Sequence, residues 1–368
     1  MMETNKPFVA VCLTCKNACA TIRYALQSIA LLKYPKDSLS FIIVDGGSDD
    51  DTISIVKKII NNYEFKHEII VKPCNIPEGR NECISRAVEK GVDYILFLDS
   101  DTVIRDKQIL SRMIECDVKY GPCVVSVGTV FRVFKSLKEL TQFADSVVES
   151  DVDSDRLGVK VEAVPWCGMG LTLIPVEIAR CVRFDEDMTF AEDTFYGYHV
   201  WRNGYKICSV TADINLAYDV NLPKRSNIYV SMDVKSYLRG LYKKALAMTY
   251  NFYCGSLFKT VCEFLKSKNG MRMLFHIGDT FALILGLVML INHVTVLGVF
   301  FTMFYVINSS LSIARLRLTK CNSIRQASSS FIKFWLYSLY VLPSIPVLYL
   351  KHRSEFSKVF NRIEGFKP

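Results

Sequence analysis

The sequence predicts an α/β fold, with a mainly parallel, doubly wound mixed sheet followed along the chain by an α-helical membrane region. Two observations support this prediction. Four segments in which a strand pattern precedes a helix pattern occupy the first 115 residues, and such alternation is typical of a parallel sheet with helices on both faces. The long apolar runs, in contrast, are confined to the last third of the chain.

Each of the four units begins with a short apolar run that is typical of a buried strand. The strands are predicted at residues 8–13, 41–44, 68–71 and 95–98, and the first three helices at 22–30, 53–60 and 81–90. We expect Ser48 or Asp49 to cap the second helix and Gly91 to end the third.

Beyond residue 122 the pattern changes to strands of mixed direction, "CVVSVGTVF" and "GLTLI", which an acidic loop separates. The segment "FAEDTFYGYHVWRNGYKI" then predicts a helix that Glu192 and Asp193 open and that the Asn-Gly pair at 203–204 ends. Tyr198 and Trp201 are expected to lie in the core of the domain rather than to form a stacking platform.

Cysteine usage and charge narrow the class of protein. The 13 cysteines are scattered and odd in number, which fits a reducing cytosol better than a disulfide scaffold. Cys12, Cys15 and Cys19 have zinc-like spacing, but no second Cys/His pair follows, which argues against a metal cluster there. Ten Lys or Arg residues lie between positions 224 and 272. They suit anionic lipid headgroups better than nucleic acid, with a solvated basic face as the alternative.

Three apolar runs, at residues 273–291, 294–314 and 331–350, approach the roughly 20 residues that span a bilayer. Lys and Arg follow the second run but are absent between the first two, so the positive-inside rule places both ends of this hairpin in the cytoplasm. The third run contains Pro343 and Pro346 and is expected to span or to be re-entrant. A large buried helical domain is the alternative. The predicted regions are 1–225 (α/β domain), 226–272 (amphipathic interfacial helices), 273–350 (transmembrane helices) and 351–368 (basic cytoplasmic tail).

Polar residues follow the predicted strands at the points where these strands end. Asp99 and Asp101 follow the fourth strand, and Asn17 and Asp45 follow the first and second. Ligands of such sheets bind beyond the carboxyl ends of the strands, so these residues should converge. Two carboxylates one residue apart suit Mg²⁺ or Mn²⁺ between nucleotide phosphates. The spacing alone is weak evidence, because a helix cap in a solvated loop also explains it.

Five segments in order along the chain resemble the family 2 glycosyltransferases with the GT-A fold. They are "VCLTCKNACATIRYALQSI", "FIIVDGGSDDDT", "EGRNECISRA", "YILFLDSDT" and "FAEDTFYGYHVWRNGYKI". The resemblance covers roughly residues 7–220. It implies a GT-A nucleotide-sugar-binding domain, a UDP- or GDP-linked donor and a divalent metal, Mg²⁺ or Mn²⁺.

The resemblance also implies roles for single residues. Asp193 matches the catalytic base, with Glu192 beside it at the acceptor site, and Asp45 matches the aspartate that contacts the nucleotide base. Asp99 and Asp101 match the metal motif, with Asp101 as the more direct ligand. The nucleotide site is assigned Thr14, Asn17, Arg80, Asn81, Asp99 and Ser100, and Asp219 stands as a third metal ligand in place of a frequent His. Apart from the resemblance, Trp166 and Gly168 are candidates for an acceptor-side wall. A helix N-cap for Asp193 and a core position for Trp166 are the alternatives.

The function these residues imply is an inverting transfer of a single sugar from a nucleotide sugar to a membrane lipid or a lipid-linked saccharide. The protein is expected to be a multi-pass cell-membrane protein whose catalytic domain faces the cytoplasm. The Gln/Arg-Arg-Trp motif of processive synthases is absent from the sequence. Two alternatives stay open: a polyprenyl-phosphate sugar synthase, whose acceptor needs no base, and a non-catalytic membrane scaffold with a degenerate transferase domain.

Overall fold

The computed structural model describes residues 6–150, 152, 158–188, 191–222, 241–254 and 347–365, together with the single positions 328 and 344. The chain forms two compact units. One consists of Met1–Pro223 and Ser357–Pro368, and the other of Lys224–Phe356. The first unit contains the described strands.

These strands form a large and a small sheet. They are β1 Val9–Cys15, β2 Leu39–Asp45, β3 Lys66–Val71, β4 Tyr94–Leu98, β5 Thr102–Ile104, β6 Cys123–Val127, β7 Thr129–Val133, β8 Lys160–Ala163, β9 Leu171–Pro175, β10 Lys206–Thr211 and β11 Ala217–Asn221. The large sheet has the order β3-β2-β1-β4-β9-β6-β10-β8, and the small sheet has the order β5-β11-β7.

The direction of the strands confirms the α/β part of the prediction, a mainly parallel mixed sheet. β1 pairs in parallel with β2 and β4, and β2 pairs in parallel with β3. β9 is antiparallel to both β4 and β6, so β6 runs in the same direction as β1. β10 is parallel to β6, whereas β8 is antiparallel to β10. The large sheet is therefore mixed, with six parallel strands whose carboxyl ends share one edge.

Helices cover the sheets and connect their strands. They are α1 Ile22–Ala30, α2 Thr52–Tyr63, α3 Ile76–Glu89, α4 Ile109–Tyr120, α5 Leu137–Glu149, α6 Val176–Cys181 and α7 Glu192–Arg202 in the first unit. The helix predicted at the "FAEDTFYGYHVWRNGYKI" segment is confirmed, and Tyr198 and Trp201 on it are buried. The core forms because every residue of β2 is buried and α1 and α2 place apolar faces against the sheet.

The start of α2 differs from the prediction. Its N-cap position is Asp51, whose side chain makes no capping hydrogen bond, so the expected cap by Ser48 or Asp49 is wrong. Oδ1 of Asp50 accepts a hydrogen bond from the N–H of Thr52 instead, at 2.9 Å. The acidic run after β2 therefore does supply a hydrogen-bond acceptor for an N–H group at the start of α2, but the acceptor is Asp50 rather than Ser48 or Asp49.

The second unit is described only in part. Helix α8 spans Leu241–Cys254, and the rings of Tyr250 and Phe356 lie 6.0 Å apart. Of the predicted interfacial region, 226–240 and 255–272 lie outside the described residues, as do the apolar runs 273–291 and 294–314 and most of 331–350. Within the described parts of the chain, no helix combines the length and the apolar character needed to cross a bilayer.

Candidate active site

The candidate site lies where β1, β2 and β4 end side by side. Cys15, the last residue of β1, pairs with Asp45, the last residue of β2, and Asp99 follows β4 directly. Helix α3 contributes Arg80, and the first turn of α7 contributes Glu192. The predicted convergence of polar residues at this edge therefore extends to a helix far along the chain.

Arg80 is the centre of this cluster. Only 4% of the residue is exposed. Its Nη2 donates to Oδ1 of Asp99 at 3.1 Å, and its Nη1 donates to Oε1 of Glu192 at 3.0 Å. The ring of Phe184 lies 5.3 Å from the guanidinium carbon. Burial lowers the pKa of Arg80, but the three surrounding carboxylates raise it above its usual value, so the cation is retained.

The start of α3 explains how Arg80 reaches the site. Asn75 and Glu78 form a reciprocal capping box at this helix end, with a proline in the first turn. Gly79 lies so close to β1 that a Cβ on it would be 3.0 Å from Cγ2 of Thr14. The predicted nucleotide-site residue Thr14 thus touches the helix that carries Arg80, and a larger residue at position 79 would push the helix away.

Asp193 lies in the first turn of α7, next to Glu192. Burial, followed by the neighbouring Glu192 carboxylate, raises the pKa of Asp193 to about 6. Its Oδ1 accepts the N–H of Thr194 at 2.7 Å. The N-cap position belongs to Ala191, which has a left-handed φ of 60°, so Asp193 is not the cap of this helix. A carboxyl group with a pKa near neutrality is suited to accepting a proton.

Asp45 is fully buried and is bound to its own loop. Its Oδ2 accepts the N–H groups of Gly47 (3.1 Å) and Ser48 (2.8 Å), and its Oδ1 accepts the Ser48 hydroxyl. Asn17 joins the same loop, because its Oδ1 accepts the N–H of Asp49 at 3.0 Å. These bonds hold the ends of β1 and β2 together. Contact of Asp45 with a nucleotide base stays a prediction.

Asp101 and Asp219 are joined through the small sheet. Asp219 of β11 pairs with Thr102 of β5, directly after Asp101. Oδ2 of Asp101 accepts the Asn221 amide at 2.7 Å. The two oxygens of Asp219 accept the hydroxyls of Thr102 (2.7 Å) and Thr129 (2.5 Å). Burial raises the pKa of Asp219. The small sheet thus places Asp219 beside the residue that follows Asp101, and its role as a third metal ligand stays a prediction.

Asn81 and Ser100 are the other residues predicted for the nucleotide site. The Asn81 amide donates to the carbonyl of Phe184 and to Oε1 of Glu186, both at 2.9 Å, and its Oδ1 accepts the N–H of Phe184. Asn81 therefore holds the segment before α7, and its contact with a nucleotide stays a prediction. Ser100 is half-buried between the two aspartates.

The predicted acceptor residues lie beside α7. Trp166 is 43% exposed, which excludes the core position considered for it. A Cβ on Gly197 of α7 would lie 2.9 Å from the Cα of Trp166, so this helix and the tryptophan backbone are in close contact. A Cβ on Gly168 would meet nothing within 4 Å. The surface next to Asp193 is therefore open on this side.

Comparison with known families agrees with this geometry. Residues 10–151 match the family model described as glycosyl transferase family 2. This part, less than half of the chain, is therefore similar to the family 2 glycosyltransferases. The matched range includes Asp45, Arg80, Asp99 and Asp101, whereas Asp193 lies beyond it.

The transferase domain is also similar to named proteins. The probable glycosyltransferase YdaM of Bacillus subtilis is 27% identical over 212 residues, 55% of this chain and 48% of YdaM. A poly-beta-1,6-N-acetyl-D-glucosamine synthase of Staphylococcus aureus is 31% identical over 111 residues, 30% of this chain and 25% of the synthase. The chain thus matches about half the length of the first and a quarter of the second.

Solved structures with a similar course of the chain include two transferases. S. aureus TarS 1-349 in complex with UDP-GlcNAc has a TM-score of 0.46 at 15% identity, over 97% of this chain and 90% of that one. The mannosyltransferase PcManGT from Pyrobaculum calidifontis, in complex with GDP-Man and Mn²⁺, has a TM-score of 0.46 at 14% identity, over 92% and 88%.

The donor set of the transferase domain suits a divalent cation. Asp99 and Asp101 offer the hard carboxylate oxygens that Mg²⁺ and Mn²⁺ prefer, and few protein ligands are needed when phosphate oxygens complete the coordination shell. Among the described residues, however, the oxygens of Asp99, Asp101 and Asp219 do not all lie within 4.8 Å of one another. Because two threonine hydroxyls bind Asp219, the structure does not assemble the three predicted carboxylates around one point.

The sequence interpretation missed several residues of the site. Phe184 lies under Arg80, and Asn221 binds Asp101. Cys167 is buried close enough to Asp193 that this carboxylate, after burial itself, raises the pKa of the thiol. The only signal for Asn221 was its position two residues after Asp219 on one strand, which places both side chains on the same face.

Proposed function

We propose that this chain is a membrane-anchored, inverting glycosyltransferase that moves one sugar from a UDP- or GDP-linked donor to a membrane lipid or a lipid-linked saccharide. The supporting observation is the Arg80 bridge. It joins Asp99, on the donor side of the site, to Glu192, whose neighbour Asp193 has a pKa of about 6. The groups needed at the leaving and attacking ends of one reaction are therefore close together.

Asp193 serves as the general base in this proposal. An acceptor hydroxyl is a weak nucleophile and needs a proton acceptor on the side opposite the leaving group. A carboxyl group with a pKa of about 6 is mostly ionised at neutral pH and still basic enough to take the proton. Direct attack by that hydroxyl inverts the anomeric centre, so an α-linked donor gives a β-linked product.

Asp99 and Asp101 hold the diphosphate end of the donor in this proposal, together with Mg²⁺ or Mn²⁺. A divalent cation stabilises the negative charge that develops on a departing nucleoside diphosphate. Arg80 fixes one oxygen of Asp99, and Asn221 fixes one oxygen of Asp101. The two carboxylates are thereby oriented before the donor binds, which reduces the reorganisation needed during the reaction.

The acceptor enters past Trp166 in this proposal. The exposed indole offers an apolar face for a saccharide ring, and the open space at Gly168 leaves room for it. A lipid-linked acceptor is favoured by the three apolar runs in the last third of the sequence and by the basic stretch before them. The proposed location is the cell membrane, with the transferase domain on the cytoplasmic side.

A polyprenyl-phosphate sugar synthase is the second candidate. Its phosphate acceptor is already ionised and needs no general base. Asp193, in contrast, has a pKa of about 6, which suits a general base. A non-catalytic scaffold is disfavoured for a related reason. A buried arginine that holds two carboxylates costs free energy to desolvate, and that arrangement has a purpose in an enzyme but none in a passive scaffold.

The decisive experiment uses membranes that contain the full chain. They are incubated with a panel of labelled nucleotide sugars, with and without Mn²⁺ or Mg²⁺, and the lipids are then extracted. We expect label in the lipid phase for one donor and its loss on chelation. The length of the product distinguishes a single transfer from the polymer made by the synthases that are similar to this chain.

Asp193→Asn separates an enzyme from a scaffold. We expect it to lower turnover by about 10²–10⁴-fold, the typical contribution of a general base, while nucleotide binding is retained. Glu177→Gln is the matched control, because Glu177 is an exposed acid in the first turn of α6. Full transfer by the Asp193→Asn variant would refute the assigned base.

A further inference from the structure

Three buried cysteines converge at the edge of the large sheet that is opposite the transferase site. The sulfur atoms of Cys116 (α4), Cys123 (β6) and Cys208 (β10) all lie within 4.8 Å of one another. Each of the three residues is at most 5% exposed. Cys123 is the first residue of β6, whereas Asp45 and Asp99 lie at the carboxyl ends of strands that run in the same direction.

We propose that these three cysteines, named here the thiol cluster, bind a thiophilic d¹⁰ cation, with Zn²⁺ as the occupant. Zn²⁺ takes cysteine sulfur at about 2.3 Å, which in a tetrahedral site places the sulfurs about 3.8 Å apart. From separations within 4.8 Å, side-chain movements of about 1 Å suffice to reach that geometry. A water molecule completes the fourth position.

Rigid elements rather than loops hold the thiol cluster. Cys208 pairs with Val125, which lies two residues after Cys123 on the neighbouring parallel strand. Residues two apart on a strand point to the same face, so Cys123 and Cys208 lie on one side of the sheet. Cys116 reaches them from α4, which packs on that side. Ligands on helices and strands are held more accurately than ligands on loops.

The groups around the thiol cluster resemble the outer shell of a metal site. Asp117 follows Cys116, and its Oδ1 accepts the N–H of Cys123 at 2.8 Å while its Oδ2 accepts the hydroxyl of Tyr94 at 2.8 Å. Three thiolates and Zn²⁺ would carry one net negative charge. Lys119 acts electrostatically on Cys116, and Lys206 does so on Cys208, so cations are near to offset that charge.

A surface cavity gives the cation a route to the thiol cluster. Cys116 lines this cavity, whose volume is about 520 Å³, together with residues such as Arg112, Lys119 and Val161. Buried cysteines usually behave as small apolar residues, as Cys12 and Cys83 do in the core of the same unit. The thiol cluster differs because sulfurs from three separate elements meet beside a cavity that opens to solvent.

The test is a titration of the reduced, metal-free full chain with Co²⁺ as a spectroscopic probe for Zn²⁺. We expect one equivalent to bind with sulfur-to-cobalt charge-transfer absorption and tetrahedral d–d bands, and Zn²⁺ to displace it. Cys116→Ser and Cys208→Ser should each weaken binding by about tenfold or more, since even outer-shell changes cost 10–100-fold in affinity. The controls are Cys83→Ser, buried outside the cluster, and Cys181→Ser, which is exposed.

Unfolding measurements provide an independent readout. Free Zn²⁺ at 100 times its dissociation constant should raise the folded-to-unfolded ratio of the wild type and of both controls about 100-fold. The Cys116→Ser variant, whose side chain borders the cavity, should show a much smaller rise. Absence of one-equivalent binding, or equal binding by wild type and the cluster variants, would overturn the proposal and leave the three thiols as ordinary core residues.

Discussion

The two edges of the large sheet differ in the chemistry of their polar groups. At the carboxyl edge, Arg80 draws two carboxylates from distant elements around one buried cation. At the opposite edge, the thiol cluster brings three soft, buried sulfur atoms together beside a surface cavity. The comparison shows that one sheet can place hard oxygen donors at the carboxyl ends of its strands and soft sulfur donors at their opposite ends.

Removal of a charged side chain of α3 is expected to cost far more stability at the carboxyl edge of the sheet than elsewhere on this helix. Arg80→Ala leaves Asp99 and Glu192 without their shared partner, so we expect the free energy of unfolding to fall by about 3–5 kcal/mol, together with loss of transfer. Arg86→Ala is the matched control. It removes more exposed ion pairs with Glu82, Glu68 and Glu89, so the loss should be much smaller than for Arg80→Ala. Chemical denaturation compares the two, and equal losses would contradict the central role of Arg80.

A substitution that disturbs packing beneath the carboxyl edge should reduce stability nearly as much as the loss of Arg80. Gly79→Ala brings a methyl group to 3.0 Å from Cγ2 of Thr14, so we expect a loss of about 1–3 kcal/mol of stability and reduced transfer. Thr14→Ser removes that Cγ2 atom and should recover part of the loss in the double variant. Gly128→Ala serves as a control, because its added Cβ comes no closer than 3.9 Å to Cγ2 of Thr211. A double variant no better than Gly79→Ala would rule out this contact as the cause.

The raised pKa of Asp193 predicts a pH-dependent cost in stability. Because its folded pKa of about 6 exceeds the ordinary value of 3.8, the folded state binds the proton more tightly, and the associated stability is lost as pH rises towards 6. Asp193→Asn should therefore be more stable than the wild type at pH 7, by about 3 kcal/mol, and equal to it below about pH 4. Unfolding at both pH values measures this difference.

Transfer activity should also depend on the ionisation of Asp193, but it should increase with pH where stability decreases. Transfer by the wild type should decline as pH falls through about 6, because the base becomes protonated. A flat profile between pH 5 and 7, with Asp193→Asn no more stable at pH 7, would contradict the assigned environment of this carboxyl group.

The smallest effect is expected at Asp219. Threonine hydroxyls bind both of its oxygens, so Asp219→Asn should raise the Mn²⁺ concentration for half-maximal transfer by about tenfold, the lower end of outer-shell effects. Asp101→Asn should raise it further. A larger effect at Asp219 than at Asp101 would show that Asp219 is the direct ligand.

Much of the fold could be predicted from local patterns in the sequence. The first four strands and the helix after β3 were predicted to within a few residues, because continuous apolar runs and glycine stops are local signals. Helix α4 was predicted only as part of the fourth unit, without bounds, and helix α5 was missed. In α5 the buried residues Leu140, Ala144 and Val147 follow helical spacing after the Ser136 cap, but the acidic region that follows obscured this pattern.

The candidate site could be predicted from the sequence only in part. Asp99 and Arg80 were each recognised from their own segments, but the ion pair of Arg80 with Glu192 joins residues 112 positions apart. No local signal encodes such a pair. Successive side chains on a helix point about 100° apart, so the bonds of the Asn81 amide to the segment at 184–186 could not be predicted from its position after Arg80.

The direction of β9 has a consequence for how specificity can evolve. β9 runs against β4 and β6, and the carbonyl of Gly170, just before it, accepts the N–H of Asp99 at 3.1 Å. The stretch with Trp166 therefore enters the cleft from the reverse direction, beyond the part of the chain that matches the family model. If the proposed function holds, insertions or exchanges in that stretch change which molecule receives the sugar while the part that faces the nucleotide stays intact.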